Sequence, residues 1–290
     1  MVKLIRLAIL GLLCCVLFLG CSDNQVSVDS YFSSLTNEGN FVFASNYFLI
    51  FDGRTKEDFY YDGNKLRIIM LSDEGAYACP DSSSSSEIDL FLISYDDFSV
   101  EKINTVTLPG SFTYGGHIGN ELYFRSYVKS ADRNGKAYYT FFDVTGNETK
   151  QVDEFEWDEL SYNKKAYSFQ SENYSVESNN NRIIAPLIYG NGLIIEDLET
   201  KEKKTVDNRI LKTCEEGKQL LSFPGGDLGG FYNALEKDGH IYLLNSFTDD
   251  AFGDPIYYLV FEYDFETETV KYVSSIYLEE FKKIRDFHMS

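Results

Sequence analysis

Five segments of the chain share one strand–turn–strand pattern, and this repetition limits the fold more than any other feature. One segment reads Tyr139-Thr-Phe-Phe-Asp143-Val-Thr-Gly-Asn-Glu-Thr-Lys-Gln-Val152. Leu193–Val206 and Val260–Val273 follow the same plan, with Asp197 and Asp264 at the turn and a valine nine residues after each aspartate. Phe48-Leu-Ile-Phe-Asp52 opens a fourth copy, and Leu90-Phe-Leu-Ile-Ser94 a fifth with Ser in place of Asp. In each, an apolar strand runs out to a turn. Asp with Thr or Gly closes the turn through side-chain-to-backbone hydrogen bonds. An alternating, more polar strand then returns.

A second signal precedes each copy. Polar turns at Glu38-Gly-Asn, Asp62-Gly-Asn, Gly119-Asn-Glu, Asn180-Asn-Arg and Asp238-Gly-His each run into a strand, which is a hairpin signature. Two hairpins per unit, with markers at 52, 94, 143, 197 and 264, give the layout of a propeller blade. The expectation is an all-β chain forming a β-propeller of five or six blades over residues 38–290, with 21–37 as a short linker. A sixth blade has room in 153–178 or 207–232. A β-sandwich pair or an irregular all-β domain is the alternative. The 22 tyrosines and 23 phenylalanines, against five prolines, suit strands. The pattern resembles the exported β-propeller lipoproteins of Bacteroidota, the TolB-like six-bladed group. Leu278–Arg285 has helical spacing and is expected to pack beside the last blade.

The first residues carry a targeting signal. Lys3 and Arg6 precede fourteen uncharged, mostly apolar residues from Leu7 to Gly20, a signal-peptide length and short of the roughly 20 needed to span a bilayer. The run ends in Phe18-Leu19-Gly20-Cys21, which resembles the bacterial lipobox, with Phe18 where that motif prefers Leu. The resemblance implies cleavage after residue 20, diacylation of the Cys21 sulfur, and a membrane anchor in the bacterial envelope. Multiple acyl chains hold a protein stably where one does not. Ser22-Asp23 resembles the start of surface-exposed lipoproteins; surface and periplasmic face both stay open.

Loss of Lys3 and Arg6 with the leader moves the formal charge from −20 to −22. Such a chain is repelled by phosphate backbones, so nucleic acid is disfavoured as a partner. Besides Cys21, the mature chain keeps Cys79 and Cys214. An oxidising compartment permits them to pair; two unpaired buried thiols are the equal alternative. Neither lies in a redox or zinc spacing.

Candidates for chemistry are few. His117 follows Gly115-Gly116 on what should be an inner strand, so it is a candidate channel residue. Asp249, Asp250 and Asp254 offer carboxylates to a metal such as calcium, although their spacing is not that of an EF-hand. No nucleophile elbow or phosphate loop occurs, and no cofactor is expected. Pro224–Phe231 is glycine-rich, which suits close backbone packing. The leading functional expectation is a lipid-anchored binding or scaffolding module with a protein or glycan ligand. A carbohydrate-active enzyme on the same fold is the alternative, and a toxin-neutralising or envelope-complex subunit a further one.

Overall fold

The turns set the architecture. In a computed structural model, residues 27–118, 121–129, 135–154, 182–186, 192–197, 199–231, 233–249, 256–278, 284 and 286–289 are described. Residues 1–20, Cys21, Asp250, Asp254 and nearly all of 153–178 lie outside them. Contacts divide the chain between residues 35 and 36. In the first part a short helix, α1 (Val28–Ser34), is capped by Ser27, whose side chain accepts from the Ser30 amide.

Residues 36–290 form antiparallel sheets that follow one another along the chain. The first contains β1 (Phe41–Ala44), β2 (Phe48–Phe51) and β3 (Arg54–Glu57). The second contains β4 (Tyr60–Tyr61), β5 (Asn64–Leu71), β6 (Ala76–Pro80), β7 (Glu87–Ile93) and β8 (Val100–Thr107). The third is β9 (Ser111–Ile118), β10 (Glu121–Val128), β11 (Lys136–Phe142) and β12 (Glu148–Asp153). The fourth is β13 (Arg182–Pro186), β14 (Gly192–Asp197) and β15 (Lys203–Asp207). The fifth is β16 (Asp227–Leu228), β17 (Asn233–Lys237), β18 (His240–Thr248), β19 (Tyr257–Asp264) and β20 (Thr269–Tyr277). In each sheet, consecutive strands pair as neighbours, except that β16 and β17 share one edge of β18.

The last strand closes the ring. β21 (Asp286–Met289) pairs antiparallel with β1, from Phe41 opposite Met289 to Ala44 opposite Asp286. It therefore supplies the inner strand of the first sheet. β17 touches β21, β21 touches β5, and β5 touches β9, so the inner strands of four sheets follow one another around an axis.

The core lies in seams between sheets. Phe41, Phe43 and Ile50 pack with Leu235, Leu244 and Tyr258 of the fifth sheet. Their neighbours Val42, Ala44 and Leu49 pack with Leu66, Ile68 and Ala78 of the second. The other face of the second sheet, with Ile69, Tyr77 and Leu90, meets Leu122, Phe124 and Phe142 of the third. Successive residues of a strand point to opposite faces, so a strand such as Phe41-Val-Phe-Ala is buried on both. That explains apolar runs where a half-exposed sheet would alternate. A two-layer sandwich buries one face per sheet; this chain buries two, and the fold is an all-β propeller.

All five sequence markers fall at the same place, the turn into the last strand of each sheet. Asp143 Oδ1 accepts from the amides of Thr145 and Asn147, both at 2.9 Å. Asp197 Oδ1 accepts from the amides of Glu199 and Thr200 at 3.0 and 2.8 Å. Asp264 Oδ1 accepts from those of Glu266 and Thr267 at 2.9 and 2.8 Å. The Asn147 side chain and amide hold the Asp143 carboxyl down to about 2. At Asp52-Gly53 both residues have positive φ, the two-residue hairpin turn that favours Asp-Gly.

These turns also stitch the ring. Arg54 and Lys56 of β3 donate to carbonyls of Tyr95, Asp96 and Phe98 in the next sheet's turn. Asn104 of β8 donates to Thr145 O at 2.8 Å, and Lys204 of β15 to Phe265 O. At each of these three seams, an outermost strand reaches the turn carbonyls that the marker residue organises.

Asp62-Gly63 runs into β5 as expected, closing the short β4–β5 hairpin. Ser72–Gly75 closes the next hairpin, between β5 and β6, with Ser72 N donating to Gly75 O. One expectation needs correction. Residues 207–232 hold no blade; a 3-10 helix (Asn208–Thr213) and α2 (Glu215–Ser222) occupy most of this stretch. Of Leu278–Arg285, the stretch expected to be helical, residues 279–283 and 285 lie outside the described residues; Asp286–Met289, just beyond it, forms the strand β21.

Candidate functional site

The third sheet treats its two faces differently. Leu122, Phe124 and Phe142 fill the seam with the second sheet. The opposite face carries two cross-strand rows. One is Tyr114, Arg125, Tyr139 and Val152; the other is Gly116, Tyr123, Phe141 and Lys150. Pairing in register brings such side chains within reach of one another. Tyr123, Tyr139 and Phe141 are buried, while Tyr114 and Arg125 are half-buried.

The Arg125 guanidinium lies 5.7 Å from the Tyr114 ring centroid and 5.9 Å from that of Tyr139, inside cation–π range. One of its nitrogens donates to Glu154 Oε1 at 3.2 Å. The hydroxyls of Tyr114 and Tyr139 are 3.2 Å apart. Burial, followed by the Tyr139 hydrogen bond, pushes the Tyr114 hydroxyl far above its ordinary value. The phenol stays protonated at neutral pH, and either hydroxyl of the pair can donate to the other. Rings, a guanidinium, a carboxylate and phenols together suit recognition of hydroxyl-rich rings, since the rings supply apolar area and the polar atoms fix orientation.

A second polar constellation sits where inner strands turn back. Lys237 ends β17, His288 lies on β21, and Asp73 lies in the turn after β5. Lys237 Nζ and His288 Nε2 meet Asp73 Oδ1 at 2.8 and 3.0 Å. Lys237 also donates to the Met289 carbonyl. Three sheets thus share one carboxylate oxygen. Farther round, Arg182 of the fourth sheet donates to Glu236 Oε1 of the fifth at 2.8 Å, with the Glu236 side chain 2% exposed. Its guanidinium lies 5.0 Å from the Phe265 ring centroid. Breaking such a buried pair by removing one partner is costly.

His117 is on β9, the inner strand of its sheet, partly exposed and opposite Leu122. It is not among the residues of either polar group. Cys79 and Cys214 are both free and buried, the second of the two alternatives. Cys79 sits within β6, where burial pushes its thiol up to about 12. Cys214 caps α2, its sulfur accepting from the Gly217 amide at 3.3 Å. Asp249 is exposed just after β18, and its two companions, Asp250 and Asp254, lie outside the described residues. Among the described residues, no three His, Cys, Asp or Glu side chains group as metal ligands do. The glycine-rich stretch is a close approach: Asn245 Nδ2 donates to the Gly229 and Gly230 carbonyls at 2.6 and 3.1 Å. A Cβ at Gly229 would stand 2.5 Å from Ser246 Oγ.

Sequence reading passed over Arg125 and its tyrosines. The signal was present as period two: Tyr123, Arg125 and Tyr127 alternate within β10. Asp73, Lys237 and His288 are separated by 164 and 51 residues, and nothing local links them.

No protein-family profile matches the chain. No curated protein sequence matches it either. Among solved structures, a functionally unknown protein from Desulfotomaculum acetoxidans is similar at 7% identity, over 86% of this chain and 83% of that one, with a TM-score of 0.43. A chain of a nidogen/laminin complex is similar at 8% identity, over 86% and 97%, with a TM-score of 0.33. A Bacteroides fragilis protein provisionally described as exported is similar at 12% identity, over 83% and 72%, with a TM-score of 0.24. The fold assignment rests on strand order and seams, not on these scores. Among the described residues, no helix is long and apolar enough to cross a membrane.

Proposed function

We propose that this chain is a bacterial envelope lipoprotein, tethered through Cys21, whose propeller body is a binding or scaffolding module for a glycan. The observation that carries the binding reading is the Tyr114–Arg125–Tyr139 row, with its aromatic faces, protonated phenol and half-buried guanidinium. Tyr114 and Arg125, its half-buried members, would meet the sugar, with Tyr139 buried behind them; none is placed as an activated nucleophile. The strong negative charge fits a module that reaches a neutral or partly cationic surface glycan rather than nucleic acid.

Two measurements test the two halves of the proposal. Cys21→Ser should abolish metabolic labelling with a palmitate analogue, and unchanged labelling would refute the tether. For the body, the full chain in detergent should bind polysaccharide isolated from the envelope. Arg125→Ala should weaken that binding about tenfold, the scale of one good polar contact. Equal binding by wild type and Arg125→Ala removes this row from the site. Binding to envelope protein but not to polysaccharide would reassign the ligand class.

A further inference from the structure

Among the described residues, the ring closes through four residues of β21, and charged groups meet there. β21 pairs with β1 over Asp286–Met289, a ladder as short as the others of its sheet and shorter than the seven and eight positions of the fifth sheet's main ladders. Its His288 side chain is largely enclosed, 17% exposed, and shares Asp73 Oδ1 with Lys237. From β17 the ionic group facing it is Lys237; from the turn after β5 it is Asp73. β1 is Phe41-Val-Phe-Ala and offers none. The neighbouring Glu74 carboxylate is directed to the Tyr77 hydroxyl at 3.4 Å, and Glu236 faces the fourth sheet through Arg182.

We infer that β21 is an acid-released latch: protonating His288 detaches this strand from β1 and opens the ring at the first sheet. A cationic imidazole in the closed position would lie in an enclosed site beside the Lys237 ammonium, with one carboxylate oxygen among the described residues, Asp73 Oδ1, shared between them. Once β21 is free, the imidazole is in water and takes up its proton without that penalty.

Burial, the largest influence, sets the His288 value below its ordinary 6.5, against the pull of Asp73. The group therefore binds a proton more readily when the strand is released. The stability it lends to closure is full above about pH 6.5 and declines as pH falls below that value. Asp73 also has a lowered value, with the Lys237 and His288 hydrogen bonds the main causes. Its contribution persists above 3.8 and is lost only in stronger acid, so between pH 7.5 and 5 the change belongs to His288.

Hydrogen exchange on the full chain in detergent reads this directly. After correction for intrinsic rates, amides of the β1–β21 ladder should open about three- to tenfold more often at pH 5.5 than at pH 7.5, one titration contributing at most tenfold per pH unit. Amides of the β10–β11 ladder serve as the internal control and should not change. In His288→Gln the difference should vanish while the strand remains paired at pH 7.5. Three results overturn the latch: no change in wild type, an equal change in both ladders, or an unaltered pH response in His288→Gln. If the variant fails to fold, the wild-type contrast between the ladders decides alone.

Discussion

The first and fifth sheets are neighbours in the ring but are held by different means. The fifth has strands of eight and nine residues, and Leu243, Leu244, Phe247, Tyr258, Leu259, Val260 and Phe261 are each 0% exposed. The first has strands of four residues and takes its inner strand from the far end of the chain. In the fifth, burial alone is ample, since each fully buried large apolar side chain contributes about 1.5–3 kcal/mol. In the first, short strands bury less, and ionic contacts from two other sheets fix the closing strand. Apolar burial is insensitive to pH, whereas pinned charges are not. The contrast locates both the most durable part of the body and the part most open to regulation.

The largest expected effect breaks the comparison from the durable side. Phe261→Ala should cost about 3–5 kcal/mol, a buried aromatic replaced by a cavity, read as a lower midpoint in urea denaturation. A loss under about 1 kcal/mol would mean that the fifth sheet is not the anchor of the ring. A smaller effect sharpens it from the other side. Asp73→Ala should cost less than about 1 kcal/mol in global stability, because the carboxylate is 71% exposed and screened. It should nevertheless raise exchange in the β1–β21 ladder selectively. An equal rise in the fifth sheet would show that the two sheets open as one.

Much of the fold was legible in local pattern. Asp143, Asp197 and Asp264 mark turns because an aspartate's own side chain satisfies the amides two to four residues on. The apolar stretch before each marker reads as a strand for the same local reason. Both Asp62-Gly63 and Asp238-Gly239 turn hairpins with positive φ at each residue, but the shared signature does not tell that one closes a side hairpin and the other joins two principal strands. Residues 207–232 leave room for a blade in the sequence pattern because the eight residues of Glu215–Ser222 carry too little helical periodicity to stand out. Asp286–Met289 was missed because a four-residue strand has no turn of its own.

The candidate sites divide in the same way. Tyr123 and Arg125 announce a shared face through their spacing of two, but the partners Tyr114 and Tyr139 are fixed by register across three strands. A bulge between Arg125 and Ser126 shifts that register. For Asp73, Lys237 and His288, no local rule applies at all. Their meeting depends on how many sheets the ring contains and on which strand closes it.

By itself, the sequence determined the strand-turn-strand units, the all-β class and the net negative charge. Each of these is written in neighbouring residues, through side-chain alternation, turn hydrogen bonds and net charge. Only the tertiary structure decided that β21 completes the first sheet, that Cys79 and Cys214 stay apart, and that three sheets meet on Asp73. Those are relations between residues far apart in the chain. They are set by packing inner strands on both faces against neighbouring sheets, a constraint that no single segment carries.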